Sequence, residues 1–223
     1  MQIVYFDNHI VVVRKPAGIP TQSEEETSVE IEARIWAKKQ FNKNGEVFLY
    51  ALHRLDKPVS GIVLLAKTSK ALERLHKSFR EKQMKKTYVA LVEGVIKENS
   101  GVLEHYLAQG EFRSLASVES DPNAKFCRLS YTVIERTSFS SLVEIDLETG
   151  RYHQIRCQFS QLGHPVVGDL KYGAKYISGR KNHIALHHQK MQFPHPVTKE
   201  ILSFEVPPLK EWEEWIHQLA QFV

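Results

Sequence analysis

Residues 52–61 read LHRLDKPVSG and run directly into the apolar stretch 62–67, IVLLAK. A carboxylate, Asp56, stands between Arg54 and Lys57, and the segment is punctuated by Pro58 and Gly61. Proline and glycine mark a loop, and the β-branched, leucine-rich run after them marks a buried strand. VFLYAL, at 47–52, reads as the strand before. A surface turn with a local ion pair is the plain reading of such a loop. The rest of the chain decides whether Asp56 does more.

The flanking pattern sets the fold class. IVYFDNHIVVVRKPAG, at 3–18, holds two β-rich runs parted by Asp7-Asn8 and ends in a Pro-Ala-Gly loop. Thr27–Phe41 is predicted helical, with Glu30 and Glu32 near its start and Lys38 and Lys39 near its end, matching the macrodipole. Ser69–Gln83 is a second predicted helix, with Leu72, Leu75 and Phe79 as its apolar stripe. TYVALVEG, GVLEHYLA, FCRLSYTVIE and SLVEIDLE follow as strands, and residues 110–125 read as an exposed loop. A short helix from Tyr152 to Leu162 is expected to bury Ile155, Phe159 and Leu162 and to end on a left-handed Gly163. IALHHQKM and ILSFEV are late strands, and LKEWEEWIHQLAQF is a terminal amphipathic helix. The sum is an α+β fold, one domain over residues 1–223, with a largely antiparallel mixed β-sheet and peripheral helices.

Composition narrows the function. The chain has 223 residues, 42% hydrophobic and 25% charged, an ordinary globular balance, with a formal charge of +4. Charge placement says more: Lys70, Arg74, Lys77 and Arg80 lie in a basic block from Lys67 to Lys86. Such a block suits phosphates, although a solvated helix face has the same appearance. Cys127 and Cys157 are far apart and in no metal-ligand spacing, so a reducing, cytoplasmic setting is expected. The N-terminus lacks the pattern of a secretory signal, and no apolar run is long enough to span a bilayer. His183, His187 and His188 fall in a predicted strand without a partnering Glu or Cys, so no metal site is expected.

Five ordered blocks carry a resemblance: NHIVVVRKPAG (8–18), HRLDKPVSGIVLLAK (53–67), KKTYVALVEG (85–94), GRYHQIRCQFSQLGHPVVGDLKYG (150–173) and IALHHQKMQFPHPVT (184–198). Together they are similar to the RluA family of RNA pseudouridine synthases, over nearly the whole chain. The resemblance implies that Asp56 is the essential aspartate, Tyr88 the tyrosine packed on the target base and Arg156 the arginine that pairs with the aspartate. It implies that Leu186 lines the base pocket and that Arg54 takes the place vacated by the flipped base. His53, His153 and Gln154 are expected to hold loops, and the four basic helix residues to follow the RNA backbone. Since the resemblance opens near residue 8, no S4-type RNA-binding domain is expected ahead of it.

The implied chemistry suits these residue types. The uracil N1–C1′ bond breaks, the base turns, and a C5–C1′ bond forms, with no redox change, so no metal or organic cofactor is expected. A carboxylate serves as nucleophile at C6 or C1′, or stabilises oxocarbenium character at C1′. It must stay ionised in a dry pocket, which an arginine within about 4–6 Å favours by 1–3 pKa units. The uridine must be extruded or already unstacked. The expected partner is RNA, a tRNA or rRNA stem-loop, bound by a monomer. Two other classes fit less of the sequence: a non-catalytic RNA-binding or folding factor of the same fold, and a hydrolytic N-glycosidase. Val59, Tyr152 and Arg14 depart from the family pattern beside the proposed catalytic positions, which predicts altered substrate fit with activity retained.

Overall fold

The computed structural model describes residues 1–176, 182–208 and Trp212. Within them lie strands β1 (Gln2–Phe6) and β2 (Ile10–Lys15), helix α1 (Val29–Gln40), β3 (Tyr50–Ala51), β4 (Ser60–Ala66), α2 (Ser69–Arg80), β5 (Lys85–Glu93), β6 (Ser100–Gln109), β7 (Ser114–Ser117), β8 (Ala124–Arg136), β9 (Ser140–Leu147), α3 (Gln154–Gln161), β10 (Leu186–Pro194) and β11 (Ile201–Glu205). The fold is α+β with mostly antiparallel strand pairing. Two compact units are present, Met1–Lys85 with His188–Pro207, and the described parts of Lys86–His187 and Pro208–Val223.

In the first unit β2 lies between β1 and β4, antiparallel to both, and β10 pairs antiparallel with β11. Ile10 to Val13 are fully buried, so the strand has no polar side and no alternation. Helix α1 buries Val29, Ala33 and Ala37 at i, i+4 and i+8. Ser28 caps it by accepting from the Ile31 amide. Helix α2 is capped by Thr68 and packs Ala71 and Leu75 onto Ile10, Val12, Ile62, Leu64, Met191 and Phe193. It stops at Arg80, short of the expected Gln83. Lys82 adopts φ 56, and the Gln83 amide bonds back to the Ser78 carbonyl, closing the helix end.

The second unit orders its strands β5-β9-β8-β6-β7, each antiparallel to its neighbours. Helix α3 ends as expected: Gly163 is left-handed at φ 85, its amide donates to Ser160 O, and the His164 amide donates to Phe159 O.

Four expectations need correction or limits. VFLYAL contributes only Tyr50–Ala51 to pairing, because β3 meets β4 at just Ala66 and Leu65. The expected loop 110–125 contains β7, whose partner is β6, and Ser114 at its start is buried under the Tyr172 hydroxyl. Ile155 and Phe159 are buried, but Leu162 is 37% exposed, since it caps the helix where the chain turns outward. The terminal amphipathic helix lies outside the described residues. Among those described, no helix is long and apolar enough to cross a membrane.

Candidate active site

The first unit presents Asp56 on a loop pinned from several directions. Leu52, Leu55 and Val59 are buried and anchor it by burial of apolar area. The Leu55 amide donates to Thr21 Oγ1 at 2.9 Å, and that hydroxyl donates to Leu55 O at 3.0 Å. Gly18, at φ 91, donates its amide to Lys57 O at 2.8 Å. The Val59 amide closes the turn onto Asp56 O at 3.0 Å. Asp56 itself is only half-buried, Arg54 is exposed, and Lys57 binds Glu26 through Nζ at 2.7 and 2.9 Å.

Beneath the loop lies Lys15, fully buried. Its ammonium donates to the carbonyls of Pro16 (3.0 Å), Ile19 (2.7 Å) and Lys57 (3.2 Å), joining the Pro-Ala-Gly loop to the Asp56 loop. Burial lowers its pKa to about 7, while the nearby Asp56 carboxylate works the other way. In the sequence this lysine directly precedes Pro-Ala-Gly, and a cation at that place was the available signal for its part.

His53 sits at the entry to the same loop. Its Nε2 accepts from the Leu64 amide at 3.4 Å, and its ring meets His188 edge-on at 5.4 Å. His188 donates Nδ1–H to Ile62 O at 2.7 Å, so the loop's first residue is braced against β4 and β10. Gly61 is required here. Its φ is 124, and an added Cβ would overlap the His188 backbone, 2.5 Å from the nitrogen.

In α2, Lys70, Arg74 and Lys77 share one stripe at i, i+4 and i+7, with Arg80 to its side. Lys70, Lys77 and Arg80 are exposed. Arg74 is partly committed, donating Nη1–H to Pro196 O at 3.2 Å.

The second unit holds the other candidates. Tyr88 is buried in β5 opposite Ile145, and Leu186 is buried where β10 starts. Lys86, two residues before Tyr88, is buried, and burial lowers its pKa to about 8. Its Nζ lies 3.5 Å from where a Gly150 Cβ would stand, an ordinary van der Waals contact.

Arg156 projects from α3 into a buried carboxylate. Its Nε donates to Asp169 Oδ2 at 2.6 Å and its Nη2 to Oδ1 at 2.9 Å, with the guanidinium 5.0 Å from the Tyr172 ring centroid. Asp169 lies thirteen residues after Arg156, where no local sequence pattern marks the two as partners. The GRYHQ turn that leads into this helix is tightly held. Gln154 Oε1 accepts from Thr149 Oγ1 and the Arg151 amide, and its Nε2 donates to Arg128 O and Gln158 Oε1. His153 is left-handed at φ 51, stacks on Tyr152 at 3.8 Å, and pairs Nδ1 with the Tyr172 hydroxyl at 3.0 Å. Tyr172 also accepts from the Ser114 amide, so one phenol ties the turn to β7. Cys127 and Cys157 are free and buried near it, and burial raises the Cys127 thiol to about 11.

No cluster of metal-ligating side chains occurs among the described residues. The first unit holds a braced aspartate loop and the second a braced arginine helix. Residues 9–161 match the family model for RNA pseudouridylate synthase, and the chain belongs to that family. It is an RNA pseudouridine synthase, an isomerase that acts on RNA.

Individual relatives agree. The chain is 34% identical over 210 residues to the RNA pseudouridine synthase YhcT of Bacillus subtilis, covering 93% of this chain and 68% of that protein. It is 34% identical over 217 residues to the ribosomal large subunit pseudouridine synthase C of Escherichia coli, covering 92% and 66%. The dual-specificity RNA pseudouridine synthase RluA of Pasteurella multocida is 32% identical over 216 residues, with 93% of both chains covered. The chain therefore spans about two thirds of the first two relatives and nearly all of the third. In fold it is similar to the human RNA pseudouridylate synthase domain containing 4 structure, with a TM-score of 0.82 at 24% identity over 98% of this chain and 92% of that one.

Proposed function

We propose that the chain isomerises uridine within a folded rRNA or tRNA element, with Asp56 as the catalytic carboxylate. The observation that carries this reading is the Asp56 loop: a half-buried carboxylate held by Thr21, Gly18 and the Lys15 ammonium, within the segment that matches the family. Such bracing fixes the carboxylate before substrate arrives, which is the condition for positioning catalysis. Attack at C1′ or at C6 requires the same ionised group. The N1–C1′ bond breaks, C5 joins C1′, the C5 proton leaves and N1 ends protonated, so no atom is lost.

Tyr88 stacks on the extruded base, Leu186 supplies apolar contact and Arg156 supports the ionised aspartate. His53, His153 and Gln154 hold loops. The names of the relatives, one acting on the large ribosomal subunit and one of dual specificity, favour rRNA or tRNA as the substrate. Residues 20–27 and the β7-bearing segment 110–125 select it, while Arg54 and the exposed cations Lys70, Lys77 and Arg80 carry phosphates, with Arg74 beside them. The protein acts as a monomer in the cytoplasm.

The test compares site-by-site pseudouridine maps of RNA from a deletion strain with the strain complemented by wild type or Asp56→Ala. One uridine should lose its modification and regain it with wild type alone. Restoration by Asp56→Ala would remove the carboxylate from the mechanism. An RNA map unchanged by deletion, with RNA still bound, would favour a non-catalytic binding factor.

A further inference from the structure

At the end of the first unit opposite the Asp56 loop, aromatic rings and lysines gather at the surface. Phe6 ends β1, Trp36 lies in α1, and Phe41 caps that helix. Their ring centroids are 5.2, 5.9 and 5.8 Å apart, all edge-to-face. Phe6 is 41% exposed, and Ile35 beside Trp36 is 50% exposed. Lys67 holds its Nζ 4.3 Å from the Phe41 ring centroid and donates to the Asp7 carbonyl. Lys43 is near enough to repel it, since burial and then Lys43 depress the Lys67 pKa against the pull of Asp7. Asn42 is left-handed at φ 49 and the Lys43 amide bonds to Lys38 O, which folds Lys43 back over the last helical turn. Lys38, Lys39 and Lys43 are all exposed.

Strand register places this group. Lys15 opposes Gly61 at the catalytic end of the β2–β4 pair, and Ile10 opposes Ala66 at the other. Five residues of strand rise separate the ends by about 17 Å. The aromatic group is therefore not part of the base pocket.

We propose that this face is a second RNA contact, holding phosphates and an unstacked base of the strand that flanks the target uridine. The inference rests on the RNA reading above and adds where the flanking strand goes. Lysines gathered around one exposed ring and two half-buried ones repel one another, and a polyanion removes that repulsion. Aromatic faces accept bases of any identity, and lysines neutralise the backbone between them. A protein partner fits less well, because interface cores are depleted of lysine. It follows that an RNA too short to span about 17 Å from the target uridine cannot reach this face, and a longer one does.

The probes are fluorescein-labelled oligouridylates, one of about 20 nucleotides and one of about 2, read by anisotropy over roughly 50–200 mM salt. The variant is the triple Lys38→Gln, Lys39→Gln, Lys43→Gln, all exposed and remote from Asp56. It should weaken the long probe about 10-fold and lower its salt slope by about 2, three contacts at roughly 0.7 each. The short probe should bind as to wild type. Ultraviolet cross-linking of the long probe to wild type should map to residues 36–43, a readout that does not depend on any variant folding. Long-probe affinity and slope equal to wild type, with no cross-link there, would overturn the inference and leave the RNA reading standing. The same result with the variant less self-associated in sedimentation would give the face to a second copy of this chain. Wild type that binds neither probe and forms no pseudouridine would overturn both.

Discussion

Arg156 grips Asp169 through two parallel hydrogen bonds, Nε to Oδ2 at 2.6 Å and Nη2 to Oδ1 at 2.9 Å, with both side chains buried. A buried pair of this kind contributes little net stability compared with a well-packed apolar replacement, yet its halves are costly to separate. Asp169→Leu should lower the unfolding free energy by about 3 kcal/mol in urea titrations, because the buried guanidinium loses its bidentate carboxylate. Arg156→Met combined with Asp169→Leu should regain most of that loss while abolishing pseudouridine formation. A loss below about 1 kcal/mol for Asp169→Leu would mean that solvent or another group takes over the carboxylate's part.

Asp56→Asn tests the chemistry with almost no change in shape. Asp56 is half-buried and its backbone, through Val59, closes the turn, so the fold should persist. Pseudouridine formation should fall by at least about 10³-fold, while RNA affinity stays within a few-fold, because phosphate contacts supply most binding. Retained turnover would place the reacting carboxylate elsewhere.

Lys15 makes a prediction about pH. Its folded pKa is about 7 and its ordinary value 10.5, so between these values the unfolded chain binds more protons than the folded one. Stability from this site is therefore full above 10.5 and is lost progressively as pH falls towards 7. Lys15→Met should remove that dependence, so wild type should gain stability on the variant as pH rises from about 7 to 9.5, by an amount on the order of a few kcal/mol. Parallel melting curves of the two proteins across this window would mean that Lys15 keeps its ordinary pKa despite burial and stays charged.

Gly61→Ala adds a single methyl at a place with no room. The residue has φ 124 and faces the His188 backbone. Strain and overlap together should cost about 3 kcal/mol or more, read as a lowered urea midpoint. Activity should fall further than stability alone dictates, because β4 starts just after the Asp56 loop. An unaffected midpoint would show that β10 yields easily there.

Much of this was legible along the chain. Pro58 and Gly61 punctuate the Asp56 loop, and buried strands announce themselves through runs such as IVVV at 10–13. Gly163 marked the end of α3 because only a residue tolerant of positive φ closes a helix that way. Ser114–Ser117 was not legible as a strand. SLAS lacks an apolar alternation, and it pairs because β6 lies alongside and the Tyr172 hydroxyl receives the Ser114 amide. Leu162 misled the reading, since helical periodicity says which residues share a face and not where the last turn meets solvent.

By itself, the sequence determined the element order and the order of the motif blocks, because these depend on local periodicity and backbone preference; the part proposed for Asp56 rests on the family resemblance those blocks carry. Tertiary structure alone decided that Lys15 lies under the Asp56 loop, that Arg156 holds Asp169, and that Phe6, Trp36 and Phe41 meet at one surface. Those relations join residues that no local rule connects. They exist because burial forces each cation to find carbonyl or carboxylate oxygen wherever packing puts it, and packing is a property of the whole fold.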